Sequence, residues 1–178
     1  MFVAFGAEHR QFQVEGLSMF YRLIRTPNDR TIAMLRLVLG IVFFAHGAQK
    51  MLGWFGGPGF SGTMQFFNQM GVPSLLAFLA IAAEFFGSLA LLVGFLGRVA
   101  ALGIIVNMLV AIASVHLPHG FFMNWTGTQQ GEGFEYHLLA IAIGLAVLIK
   151  GSGAMSVDRT LTQKMRHPAE REKERFAA

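Results

Sequence analysis

Arg36, His46 and Lys50 lie within a single apolar stretch running from about Thr31 to Gly53. On a helix turning about 100° per residue, the three fall within roughly an 80° arc. Gly40, Phe43 and Gly47 share that side, so charges and small residues occupy one face. Glu84 stands about ten residues into a second apolar stretch, with Ala80, Gly87 and Ser88 along its face. A charged side chain at mid-bilayer costs about 2.5–3.5 kcal/mol, so such residues persist where they are paired, line a cavity or perform chemistry. By depth, His46 or Lys50 is the nearest partner for Glu84, whereas Arg36 reaches it only from the other end. A nearby cation holds a buried carboxylate ionised, and without one its pKa rises until it is neutral. A buried ion pair that merely fixes helix register accounts for Glu84 and one cation, and leaves two cations unexplained.

More titratable groups gather further along the chain. His116 and His119 close a third apolar stretch, Glu132 follows, and Glu135 and His137 open a fourth. Histidine titrates near neutral pH, which suits it to proton transfer or to hydrogen bonding with a quinone carbonyl. The functional reading favours His116 and Glu135, and the reading as polar groups at the headgroup level favours His119 and His137. Asn107, mid-span, reads as an interhelical hydrogen bond rather than a ligand contact. A metal site stands behind these readings, because His116 and His119 straddle Pro118 at a helix end and their geometry is unspecified. No metal ligand is assigned. The chain has no cysteine, which excludes disulfide exchange, iron–sulfur ligation and covalent haem attachment.

These residues need elements that hold them in lipid. The 178 residues are 54% hydrophobic and only 13% charged, against about 25% charged in a soluble domain, and mean hydropathy is +0.53. The composition predicts an all-α integral membrane protein, an antiparallel bundle of four transmembrane helices over about 31–53, 74–95, 98–117 and 134–149. Residues 1–30 form a cytoplasmic or interfacial segment, 31–158 the membrane domain and 159–178 a charged cytoplasmic tail. Leu17, Phe20, Tyr21 and Ile24 have the spacing of a short helix lying on the membrane surface. The leader lacks the apolar core and small-residue site of a cleaved signal peptide. Between the first two spans, Met64, Phe67 and Met70 have the helical spacing of an interfacial or re-entrant turn.

Orientation follows from the basic residues. Arg10, Arg22, Arg25 and Arg30 precede the first span, Arg98 lies in the second connection, and Lys150, Arg159, Lys164, Arg166, Arg171, Lys173 and Arg175 follow the fourth. The first and third connections hold none, so both termini are expected in the cytoplasm. This asymmetry produces the pI near 10.0, so no nucleic-acid partner is expected. Five residues, Gly94 to Arg98, join the second and third spans and make them antiparallel neighbours. The tail from Ala169 to Arg175 alternates charge as a solvated helix or flexible end would.

The run from Arg36 through Gly40, Phe43, His46 and Gly47 to Lys50 resembles the first-helix signature of the DoxX family of small bacterial membrane proteins. So do Glu84 with Gly87, Leu91-Leu92-Val93-Gly94 with Arg98, Glu135-Tyr136, and Gly151-Ser-Gly153 followed by Ser156-Val-Asp158. The resemblance spans about Thr31 to Asp158. It implies a four-helix protein of the cytoplasmic membrane, acting as an oxidoreductase or as the membrane subunit of one. Some relatives belong to thiosulfate:quinone oxidoreductases, and others to complexes concerned with oxidative stress and thiols. By that analogy Arg36, His46, Lys50, Glu84 and Glu135 carry function.

The sequence holds no redox centre of its own, so electrons require a bound quinone, another cofactor or a partner oxidoreductase subunit. The expected site is one polar pocket in the outer half. Lys50 and Arg36 supply positive potential to a quinone or a small sulfur-containing anion there, and His46 and Glu84 exchange protons. Glu135 and His116 complete it. The alternatives are a non-enzymatic scaffold, anchor or small-solute permeation module, including a homo-oligomer, and, third, a metal-handling protein.

Overall fold

A computed structural model describes residues 18–165. The segment before residue 18 and the alternating-charge tail from Ala169 to Arg175 lie outside the described residues, as does Leu17 of the N-terminal helical pattern.

All regular structure among the described residues is helical. A short helix, α1, covers residues 18–24 and buries Ile24 completely. Asp29 then caps α2, Arg30–Leu52, by accepting from the Ile32 amide at 3.1 Å, which satisfies one of the orphan donors at a helix start. A single turn, Trp54–Gly56, leads into α3, Gly59–Gln69, the helix expected from the Met64, Phe67 and Met70 spacing. α4, Ser74–Val93, starts directly after Pro73, whose fixed φ suits a helix entry. It is followed by α5, Gly97–Ala111, then α6, Glu135–Lys150, and α7, Val157–Met165.

Among the described residues, three helical segments are long and apolar enough to cross a membrane: Arg30–Leu52, Ser74–Val93 and Gly97–His119. At 16 residues, α6 is shorter than the roughly 20 that a span needs. It nonetheless packs along α5 and α2, while α4 lies between α2 and α5. Leu39, Phe43, Leu91, Ala101, Ile104, Met108, Ala140 and Val147 from these four helices form one buried core. Leu75, Leu79, Val106, Leu109 and Leu139 stay exposed on the outside, the pattern of side chains that face lipid.

Gly47 sets the closest approach of α2 to α4. A Cβ there would lie 2.7 Å from the Phe85 N and Cα and 2.8 Å from the Glu84 carbonyl carbon. The α4 backbone at Glu84 therefore rests against α2 one turn before Lys50, which is what a small residue at a helix crossing permits. Gly94, with φ +69°, turns the chain after α4 where a Cβ would meet Ser156 at 2.4 Å. That tight turn makes α4 and α5 the adjacent helices their short connection implied.

α5 does not run straight to its end. Residues Ile112–His116 form a π-turn, followed by a 3-10 turn over Leu117–His119. Two local causes converge here. Pro118 has no N–H to give the preceding turn, and Ser114 Oγ donates to the Val110 carbonyl at 2.7 Å, a back-bond that competes with the helical ladder. The wider turn shifts His116 from the position a straight helix would give it.

Candidate functional site

Lys50 and Glu84 meet. The Lys50 ammonium is ion-paired with Glu84 Oε2, and Asn107 Nδ2 donates to Glu84 Oε1 at 2.8 Å. Three helices, α2, α4 and α5, thus converge on one carboxylate that is only 3% exposed, while the Lys50 side chain remains 30% exposed. The cationic partner is one of the two expected from depth, and Asn107 makes the interhelical bond expected of it.

His46 lies one helical turn before Lys50 on the same face of α2 and within electrostatic reach of both Lys50 and Glu84. Its ring centroid is 6.4 Å from Phe43 and 6.2 Å from Tyr136. Tyr136, at the start of α6, also stacks against Phe43 at 6.5 Å, so it joins the fourth long helix to the His46 face. The neighbouring His137 is 6% exposed, and its ring lies 4.1 Å from that of His116, centroid to centroid. His116 Nδ1 is 2.8 Å from the Glu132 carbonyl. Because a carbonyl only accepts, Nδ1 carries the proton and Nε2 is the basic nitrogen. Among the described residues, two buried polar atoms, the Tyr136 hydroxyl and His137 Nδ1, have no hydrogen-bond partner. Such atoms are rare in folded proteins and costly without a partner.

Beside this cluster lies a cavity of about 520 Å³ lined by Phe121, Met123, Trp125, Glu135, Tyr136, Leu138 and Leu139. Glu135 organises its rim. Its Oε1 accepts from the Met123 amide and from Trp125 Nε1, both at 3.0 Å, and so ties the aromatic loop to the first turn of α6. Tyr136 borders both the cavity and His46, so one side chain connects the apolar hollow to the charged cluster.

Arg36 stands apart. It lies 14 residues before Lys50 on α2, about 21 Å along the axis, and is completely buried. Its Nε donates to the Ser152 carbonyl at 2.8 Å and its Nη1 to the carbonyls of Leu91 and, at 2.9 Å, Leu92. Nη2 donates to Met155 at 3.2 Å. Arg36 therefore closes the C-terminal end of α4 onto the 151–156 loop, rather than facing the hollow with Lys50. His119 also stays out of the cluster, its ring packed over Gly131.

Arg36 belongs to a second polar assembly. Asp158, 1% exposed, accepts from the amides of Leu96 at 2.8 Å and Gly97 at 3.1 Å, and from Ser152 Oγ at 2.5 Å. Arg98 donates to the carbonyls of Leu148 and Ile149 at the end of α6, and to Leu23 and Arg25 beside α1. These residues fasten the ends of α4 and α6 and the start of α5 to the flanking segments. The expected pocket thus divides: His46, Lys50 and Glu84 come together, Glu135 and His116 join through Tyr136 and His137, and Arg36 is placed elsewhere.

His137, a headgroup-level polar group on the sequence pattern, is buried, and Tyr136 is visible in the sequence only within the Glu135-Tyr136 motif. The signals that locate them are the Ser114 and Pro118 pattern that widens α5 and the position of both residues in the first turn of α6. Among the described residues, no three His, Cys, Asp or Glu side chains are arranged to hold a metal ion.

The fold and the site define a helical membrane protein with a buried carboxylate, Glu84, paired to Lys50 between its spans. A family model described as DoxX matches residues 31–117. The Bacillus subtilis (strain 168) protein named "Putative oxidoreductase CatD" is 32% identical over 125 residues, which is 70% of this chain and 82% of that protein. "Inner membrane protein YqjF" of Escherichia coli (strain K12) is 32% identical over 136 residues, which is 76% of this chain and 95% of that protein. No solved structure matches the chain. The chain belongs to the DoxX family.

Proposed function

We propose that this chain is the membrane-embedded component of an oxidoreductase system of the cytoplasmic membrane, and that it binds a quinone where Tyr136 joins the apolar cavity to the His46–Lys50–Glu84 cluster. The observation that carries this reading is Tyr136, which lines the apolar hollow, lies 6.2 Å ring to ring from His46, and has a buried hydroxyl with no hydrogen-bond partner among the described residues. A quinone needs a donor for each carbonyl and an apolar surface for its ring and tail. The Tyr136 hydroxyl is such a donor, and Phe121, Trp125, Leu138 and Leu139 are such a surface.

A small sulfur-containing anion suits the site less well, because the Lys50 charge is already met by Glu84. When bound, a quinone supplies two-electron, two-proton carrier chemistry. The protein's part is to orient the head group through Tyr136 and His46 and to hold protons at His46 and Glu84. With no cysteine in the chain, electrons from an iron–sulfur or thiol centre would come from a partner subunit. In this reading the membrane domain covers about 31–158 with four crossings. Residues 1–30 and 159–178 flank it on the cytoplasmic side, supported by the placement of Lys and Arg.

Trp125 lines the cavity, so decylubiquinone added to the purified protein should quench its fluorescence saturably. Trp125→Phe should remove that signal, which Trp54 alone would not restore. His46→Ala and Glu84→Gln should each weaken the apparent affinity roughly tenfold, the effect of about 1.4 kcal/mol. Equal affinity in wild type and both variants would remove the proposed site.

One observation favours a second reading. Both Glu84 oxygens are engaged by protein groups, as they would be in a non-enzymatic scaffold or permeation module held together by a buried polar knot. In that case the same variants lose thermal stability and leave quinone affinity unchanged.

A further inference from the structure

We propose that Arg25 and Lys150, gathered around Arg98, bind the headgroup of an anionic phospholipid whose acyl chains lie along the seam between α5 and α6. This site is at the opposite end of α6 from the Tyr136 cavity and stands without it. Arg98, at the start of α5, ties two distant segments together. Its Nε donates to the Leu148 carbonyl at 3.0 Å and its Nη2 to the Ile149 carbonyl at 3.1 Å, both at the end of α6. Its Nη1 donates to the carbonyls of Leu23 at 3.2 Å and Arg25 at 2.6 Å. One guanidinium thus holds the Arg25 carbonyl and the carbonyl next to Lys150, so three cations share one corner of the bundle, with Arg25 within electrostatic reach of Arg98. Arg25 and Lys150 are exposed, and among the described residues neither is ion-paired with an acidic side chain. The acid that Arg98 does feel, Asp158, is 1% exposed and spends its oxygens on Leu96, Gly97 and Ser152.

Cations crowded without a counter-ion repel one another. A phosphate relieves that repulsion while accepting from guanidinium and ammonium donors. The surface beside these cations suits a lipid rather than a soluble ion. Leu102 stands one turn after Arg98 on α5, and Leu145 and Ile149 stand one turn apart on α6 just before Lys150; all three are exposed. Between them the two helices touch closely, since a Cβ at Gly144 would lie 2.8 Å from Ile105 Cγ1. The result is an apolar seam that leads from the cations toward the middle of the span, which is the path an acyl chain takes from its headgroup. The charge at this end favours an anionic lipid over a neutral one. Arg22 and Arg30 are exposed and add to it, whereas Glu132 and Glu135 lie at the other end of α6. Basic residues beside a span draw anionic headgroups in this way.

The test titrates full-length protein in detergent with palmitoyl-oleoyl phosphatidylglycerol and, separately, with palmitoyl-oleoyl phosphatidylcholine, and counts bound lipid by native mass spectrometry. Wild type should retain phosphatidylglycerol in preference to phosphatidylcholine. Each basic residue at an anionic surface is worth about fivefold in affinity, so the double variant Arg25→Gln with Lys150→Gln should weaken phosphatidylglycerol binding roughly 25-fold. The control, Arg30→Gln with Lys164→Gln, removes the same charge from exposed positions at the same end and should leave binding unchanged. All four positions are exposed, so both double variants should fold and elute as wild type does in size exclusion. Equal retention of the two lipids, equal weakening in the two double variants, or unchanged affinity without Arg25 and Lys150 would overturn the site. Inorganic phosphate that displaces the lipid at equal concentration would assign the cations to a soluble anion and overturn the lipid.

Discussion

Arg36→Met should lower the thermal stability of the purified protein by about 3 kcal/mol or more, and Arg36→Lys should recover little of the loss. Arg36 donates to four carbonyls on two segments distant in sequence, and each buried acceptor left unsatisfied costs about 1–3 kcal/mol. A lysine has the charge without the planar fork that reaches several acceptors at once. Folded Arg36→Met protein should still bind decylubiquinone with wild-type affinity, because the guanidinium is about 21 Å along α2 from Lys50. Melting in detergent, followed by size-exclusion recovery, measures the first effect, and fluorescence quenching measures the second. A variant of unchanged stability and weakened quinone binding would move Arg36 from the frame into the site.

The second large effect concerns the ion pair. Lys50→Ala or Glu84→Ala alone leaves an uncompensated charge between helices, a loss of about 3–5 kcal/mol when the surviving partner is fully buried. The two variants should not be equivalent. Glu84→Ala strands a lysine that is 30% exposed and can reach toward water. Lys50→Ala strands a carboxylate with only Asn107 to hold it, and should be the more damaging. The double variant Lys50→Leu with Glu84→Leu should melt within about 1 kcal/mol of wild type, since apolar replacement of a buried pair is often neutral or stabilising. A double-mutant cycle therefore gives a large coupling energy. If the cluster binds quinone, this stable double variant should not.

Composition and spacing made much of this fold legible. The apolar runs located the long helices to within a few residues, because a helix in lipid must be apolar over its whole length. The arc shared by Arg36, His46 and Lys50 puts all three on one side of α2, yet the structure buries Arg36 completely and leaves Lys50 partly exposed and His46 exposed. What one face cannot say is which end of it each residue serves. Arg36 shares a side with Lys50 yet sits about 21 Å away, where the carbonyls of Leu91 and Leu92 at the end of α4 and those of Ser152 and Met155 take its donors. Asp158 and Arg98 were visible as motif residues, but their roles depend on contacts with Leu96, Gly97, Leu148 and Ile149, which no periodicity encodes. His137 looked like a polar group at a helix start. In the structure it is 6% exposed, with the His116 ring 4.1 Å away, a contact that an ideal helical wheel does not encode.

A quinone beside Tyr136, between the cavity and the charged cluster, should be captured by photolabelling with an azido-quinone followed by peptide mapping of the full-length protein. The label is expected within the 121–139 segment and on α2 around His46, and excess decylubiquinone should suppress it. Labelling spread evenly over the lipid-facing residues, or unaffected by competitor, would contradict the account.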